Sequence, residues 1–143
     1  MKKLVMTSMF LLLTLGVFSQ EKFLKNINES KELSKRVALL FKENKITRAF
    51  NELKPYWPLP QSEFEAVENK TIKYINIIEE RFKGSIGFLK VNNETISNIA
   101  LRETYIVQYN NSAIRLIFTY YKNNNGWIIN AFSWDDSFEK EFK

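Results

Sequence analysis

The sequence predicts an α+β fold, with N-terminal helices packed on a curved four-stranded antiparallel meander sheet. Three observations carry that expectation. Apolar residues recur mostly at spacings of three and four from residue 21 to residue 82, the pattern of amphipathic helices. From about Ile86 to Trp134 the chain becomes strand-like, rich in Ile, Val, Tyr, Phe and Thr. Asparagine turns at Asn110-Asn111 and Asn124-Asn125-Gly126 divide that region in the manner of hairpin loops.

The chain has 143 residues and opens with Lys2 and Lys3, an uncharged, mostly apolar run, "LVMTSMFLLLTLGVF", over residues 4–18, then Ser19 and Gln20. A basic start, an apolar core and a small residue before a polar chain describe a secretory signal peptide, residues 1–19. Cleavage after Ser19 leaves one α+β domain, residues 20–143, long enough to bury a core. A membrane anchor is the competing reading, but the run is short against the roughly 20 residues a span needs. The expected location is the periplasm or the extracellular space, with no integral membrane segment after cleavage.

Without Lys2 and Lys3 the 21 basic residues fall to 19 against 16 acidic ones, a net charge of +3, with Lys and Glu interspersed. Such a balance gives no reason to expect a nucleic-acid partner. Cysteine is absent, so packing alone must hold an exported chain together. Histidine is absent too, which removes Ser-His and Cys-His nucleophile systems and, with cysteine, every thiolate or imidazole metal site. No cofactor and no metal are expected.

The first helix is read over residues 21–44, starting properly near Ser30, with Leu33, Val37, Leu40 and Phe41 on its apolar side. Ile46, Ala49, Phe50 and Leu53 mark a short second helix. Pro55, Pro58 and Pro60 in "KPYWPLPQ" then stop helical structure. Ser62 and Glu65 form a capping box for a third helix with Phe64, Val67, Thr71, Ile75, Ile78 and Phe82 on one stripe, and Gly84 is a suitable C-terminal cap. Four strands follow, within residues 86–96 and at about 99–109, 113–123 and 127–134.

Turn chemistry sets the register. A two-residue loop at Asn110-Asn111 pairs Val107 with Ile114, Tyr105 with Leu116, Glu103 with Phe118 and Leu101 with Tyr120. A three-residue loop at Asn124-Asn125-Gly126 pairs Phe118 with Phe132, Leu116 with Trp134 and Tyr120 with Asn130. A two-residue loop there would pair Phe118 with Ala131 and split the apolar residues between faces. The adopted register gathers Leu101, Tyr105, Val107, Ile114, Leu116, Phe118, Tyr120, Ile128, Phe132 and Trp134 on one face, expected beneath the helices. The other face mixes Arg102, Thr104, Gln108, Arg115, Thr119 and Ser133 with Ile106, Ile117, Tyr121, Trp127 and Ile129. It is apolar enough to call for a homodimer contact, a partner, or cover by "DDSFEKEFK". Asp135 falls opposite Arg115, where a surface salt bridge is the simple role.

Glu103 and Asn130 stand out on the helix-facing side, with the Tyr120 hydroxyl close by. A carboxylate facing a core is costly unless paired or wet. Either the helices leave a polar-floored pocket, or Glu103 sits at the rim and takes a hydrogen bond from Tyr120, Tyr105 or a lysine.

"RAFNELKPYWPLPQSEFEAV", "LRETYIVQY" and "IRLIFTYYKNNNGWIINAFSWDD" resemble a group of small exported bacterial proteins of unknown function. That group is related in shape to the nuclear-transport-factor-like and ketosteroid-isomerase-like cone folds. The resemblance implies a sheet wrapped round a helix, an apolar cavity for small ligands and an outer face that often makes dimers. The small hairpin many members carry between the second and third helices is replaced here by "KPYWPLP", which keeps the simpler cystatin-like arrangement open. No catalytic position carries over, and fold alone does not give function.

The first functional expectation is a non-enzymatic binding domain with a small apolar ligand against Glu103, Tyr105, Phe118, Tyr120, Asn130, Phe132 and Trp134. The second is an envelope interaction protein using the outer sheet face, or Tyr56 and Trp57 on the proline-rich loop as anchors or as a lid over the core. The third is an isomerase- or lyase-type enzyme with Glu103 as base and Tyr120 and Asn130 stabilising an oxyanion.

Overall fold

The structure, a computed structural model, describes residues 22–143. The signal peptide expected at residues 1–19 lies outside the described residues. No described helix is long and apolar enough to cross a membrane.

Helix α1 spans Ile27–Lys42. It starts ahead of Ser30 because Asn26 caps it. The Asn26 side chain accepts from the Glu29 amide at 2.9 Å, and the Glu29 carboxylate accepts from the Lys25 amide at 2.8 Å. These bonds satisfy N–H groups that a first helical turn leaves open. Leu33, Val37, Leu40 and Phe41 are buried, and Asn44, at φ 55°, ends the turn in a left-handed conformation that asparagine tolerates. Helix α2, Ile46–Leu53, buries the expected Ile46, Ala49, Phe50 and Leu53. Pro55 sits in a single 3-10 turn, Lys54–Tyr56, after which the chain runs extended.

Helix α3, Gln61–Phe82, corrects two expectations. Its N-cap is Pro60, whose carbonyl accepts from the Phe64 amide at 3.0 Å, so Ser62 lies inside the first turn and the Ser62–Glu65 capping box does not form. Glu65 is instead held by the Gln61 side-chain amide at 2.5 Å. At the far end Lys83, at φ 58°, takes the left-handed position expected of Gly84.

The sheet is an antiparallel meander, β1 (Gly87–Ile96), β2 (Ala100–Gln108), β3 (Ala113–Asn123) and β4 (Gly126–Asp135), in that spatial order. The β2–β3 register is the expected one, closed by the Tyr109 amide on the Ser112 carbonyl at 2.8 Å. The β3–β4 hairpin differs. Gly126 pairs with Asn123, so its loop is the two residues Asn124-Asn125, and Asn123 Oδ1 accepts from the amides of Asn125 and Gly126 at 2.8 and 3.1 Å.

Near that loop Tyr120 therefore lies opposite Ile129, while Phe118 opposite Phe132 and Leu116 opposite Trp134 hold as expected. A β-bulge reconciles the two halves, with Asn130 as the extra residue. The bulge puts Trp127 and Ile129 on the buried side and Ile128 on the other, reversing the expected assignment of these three.

Helix α1 lies over β1, β2 and β3, and the helix-facing residues Leu101, Val107, Ile114, Leu116, Phe118, Tyr120 and Ile129 are fully buried. On the opposite face a 3-10 turn, Phe138–Glu141, rests against β3. Arg115 ties it down, donating to Asp135 at 2.8 and 2.6 Å and to Glu141 at 2.7 Å. Phe138 and Phe142 remain exposed, so ion pairs and not aromatic cover hold this turn.

Candidate functional site

The seven residues expected to form one site are distributed among four environments. Asn130 leaves the group altogether: as the bulge residue it is exposed and has no place beside Tyr120. Sequence spacing could not place it, because its face depends on whether the irregularity sits in the loop or in the strand.

Glu103, Tyr105 and Tyr120 keep their helix-facing positions. Glu103 is fully buried, and its Oε2 accepts from Lys90 Nζ at 2.6 Å while Oε1 has no partner among the described residues. The lysine form of the paired reading thus holds, though in the interior and not at a rim. Tyr120, also fully buried, shares a 2.7 Å hydrogen bond with the Ser34 hydroxyl of α1. Burial pushes the Tyr120 phenol well above its usual range, and burial followed by the Glu103 charge pushes the Tyr105 phenol up to about 12. Glu103, Tyr120 and Asn130 therefore share no space in which a substrate could meet all three.

Phe118 and Phe132 belong to an aromatic core. Phe132 is ringed by Phe118 at 5.1 Å, Phe41 at 5.7 Å, Phe50 at 6.0 Å and Trp57 at 6.1 Å between ring centroids. Such offset and edge contacts contribute beyond buried area. Trp57 thus folds back onto the core as a lid, whereas Tyr56 lines an open cleft of about 590 Å³ with Lys22 and Lys54. Between them α1, α2 and the proline-rich loop fill the space over the inner face, which is a packed core there and not the polar-floored pocket that was the alternative.

Open space lies beside the sheet. Tyr105 reaches a groove of about 510 Å³ between α1 and β1, rimmed by Lys31, Lys35 and Lys90. Trp134 and the edge of Phe132 reach a groove of about 640 Å³ between α3 and β4. The second is the more apolar, with Val67, Thr71, Tyr74, Ile77 and Ile78 of α3 on its other wall. Those positions recur at helical spacing and form one stripe.

Local structure fixes that groove. Thr71 Oγ1 donates to the Val67 carbonyl at 2.8 Å and accepts from Trp134 Nε1 at 3.1 Å, which anchors the indole to the helix. Helix α3 runs for 22 residues, yet only Phe64, Thr71 and Ile75 are buried. Tyr74 and Ile77 stay 44% and 49% exposed. Thr71 and Ile78 fall on the core stripe that periodicity predicts, whereas Tyr74 and Ile77 lie off it. The available signal was a helix with more apolar positions than one packed face requires.

Among the described residues no group of histidine, cysteine or acidic side chains is arranged to hold a metal ion. No protein-family model matches the sequence, and no curated protein and no solved structure matches it.

Proposed function

We propose that the protein is an exported, non-enzymatic binding domain whose ligand site is the groove between α3 and β4. The observation that carries this reading is the apolar stripe of α3, half-exposed at Tyr74 and Ile77, facing an anchored Trp134 across about 640 Å³. Concave, mostly apolar and pre-formed space with a few polar groups is the usual form of a small-ligand site. Export rests on the expected signal peptide at residues 1–19. Helices followed by a four-stranded meander are compatible with the cone folds that the sequence resembles.

Intrinsic fluorescence tests this directly. Trp57 and Trp127 are buried, whereas Trp134 is half-buried at the groove, so it is the reporter. Titration with lipids, sterols and aromatic metabolites should shift its emission. The shift should vanish in Trp134→Phe and weaken in Ile77→Lys. A saturable shift that survives both substitutions would place the ligand elsewhere.

One observation favours a second reading, an interaction surface on the outer sheet face. Ile96, Ala100, Tyr121 and Ile128 are paired in turn across all four strands, and Ile96 and Tyr121 are 68% and 46% exposed. An apolar row of this kind suits a second copy or an envelope partner. Light scattering of the wild type against Tyr121→Lys decides it: a dimer that dissociates in the variant supports this surface, and a strict monomer removes self-association.

A further inference from the structure

We infer that the occupant of the α3–β4 groove is an extended peptide that pairs with β4 as a fifth strand and turns alternate apolar side chains onto α3. This rests on the groove being the binding site. The first argument is geometric. Residues 132–136 all contribute to the groove, although successive strand side chains point to opposite faces. A groove touched by every residue in turn runs along the strand edge and not over a face.

The two walls are also comparable in length. The four strand residues 132–135 extend roughly 13 Å at about 3.3 Å each, and Asp136 lies just past the strand end. Val67 and Ile78 are separated along the helix axis by about 16 Å at 1.5 Å per residue.

Independently, the protein already uses this edge for strand addition. Leu24 and Trp127 exchange backbone hydrogen bonds of 2.9 and 2.8 Å in an isolated antiparallel bridge. Gly126 permits the approach, since a Cβ there would stand 2.6 Å from the Leu24 carbonyl oxygen. The bridge covers only the start of β4, because the Lys22 amide turns away to the Pro55 carbonyl at 3.1 Å. Among the described residues, no backbone group bonds to the outer edge of β4 past Trp127. That free edge, flanked by an apolar helix stripe, is the arrangement in which main-chain bonds supply affinity and alternate side chains supply specificity. Lys70 and Asp136 line the groove as opposite charges, which suits a peptide carrying one charge of each sign beside its apolar positions.

The test uses two fluorescein-labelled, end-capped heptapeptides, Glu-Ile-Thr-Ile-Thr-Ile-Lys and its reversed sequence, titrated into the purified protein. Each is also made with N-methyl groups on the isoleucine amides or on the threonine amides. One peptide order should bind, lose about tenfold or more in affinity in Ile77→Lys, and tolerate methylation on one edge but not on the other. Equal binding of both methylated forms, or binding unaffected by Ile77→Lys, overturns strand addition in this groove. Failure of both peptides also overturns it. If the apolar panel still shifts Trp134 emission in that case, the binding-domain reading stands without a peptide; if nothing binds, both fall.

Discussion

Glu103 is fully enclosed, and among the described residues a single cation reaches it, Lys90 at 2.6 Å from a side chain that is itself partly in water. Removing one member of such a pair leaves a buried charge uncompensated, which costs more than the pair contributes. Lys90→Met should lower unfolding free energy by about 2–3 kcal/mol. Adding Glu103→Leu should recover much of that loss, as read from urea midpoints. A double variant less stable than either single one would contradict the assignment.

Arg115 makes the corresponding prediction for pH. Its side-chain hydrogen bonds hold the Asp135 carboxyl below its usual range. A depressed folded-state pKa contributes stability that is present above the unfolded value, about 3.9, and is lost as pH falls through the folded one. Wild-type stability should therefore drop on acidification below about pH 4, and Arg115→Met should flatten that dependence. Tyr105 acts at the opposite extreme. Its phenol, pushed up to about 12 by burial and then by Glu103, contributes stability that is lost as pH rises from about 10 through the folded value. Alkaline titration of Tyr105→Phe should lose the corresponding part of the transition.

The β3–β4 hairpin shows how much of an element its sequence can reveal. Asparagine, asparagine and glycine announced the turn, and the apolar pattern announced which residues face the helices. A three-residue loop and the apolar pattern share one register, but the chain closes on a two-residue loop, whose register alone would turn Phe132 and Trp134 outward. The molecule keeps the two-residue loop demanded by local backbone geometry, then inserts Asn130 as a bulge so that Phe132 and Trp134 still point inward. A three-residue loop satisfies turn and pattern with no irregularity in the strand, which is why Asn130 is expected on the inner side. Deleting Asn130 should merge the two halves into one regular ladder with Ile129 and Phe132 both still inward, so unfolding monitored by circular dichroism should stay cooperative, whereas deleting Ala131 and keeping Asn130 should not be tolerated better. Gly126→Ala should cost about 1–3 kcal/mol, because φ is +142° there and the new Cβ would meet the Leu24 carbonyl.

At the scale of the whole molecule, helix order, strand order and the β2–β3 register were readable because each depends on local pattern. Filling of the inner face was not. It depends on Phe41, Phe50 and Trp57, from three separate segments, converging on Phe132. Periodicity identifies an apolar side chain without identifying its neighbour across the core. The same limit hid the groove, since Tyr74 and Ile77 become informative only once α3 is seen to bury so little of its length.

Amide hydrogen exchange, measured with and without a ligand found by Trp134 fluorescence, tests the groove most directly. Protection concentrated in residues 131–135 of β4 and in residues 71–78 of α3, with the outer row at Ile96 and Tyr121 unchanged, is the predicted result. Protection confined to that outer row, or spread over α1 and β1 with β4 unaffected, would contradict it.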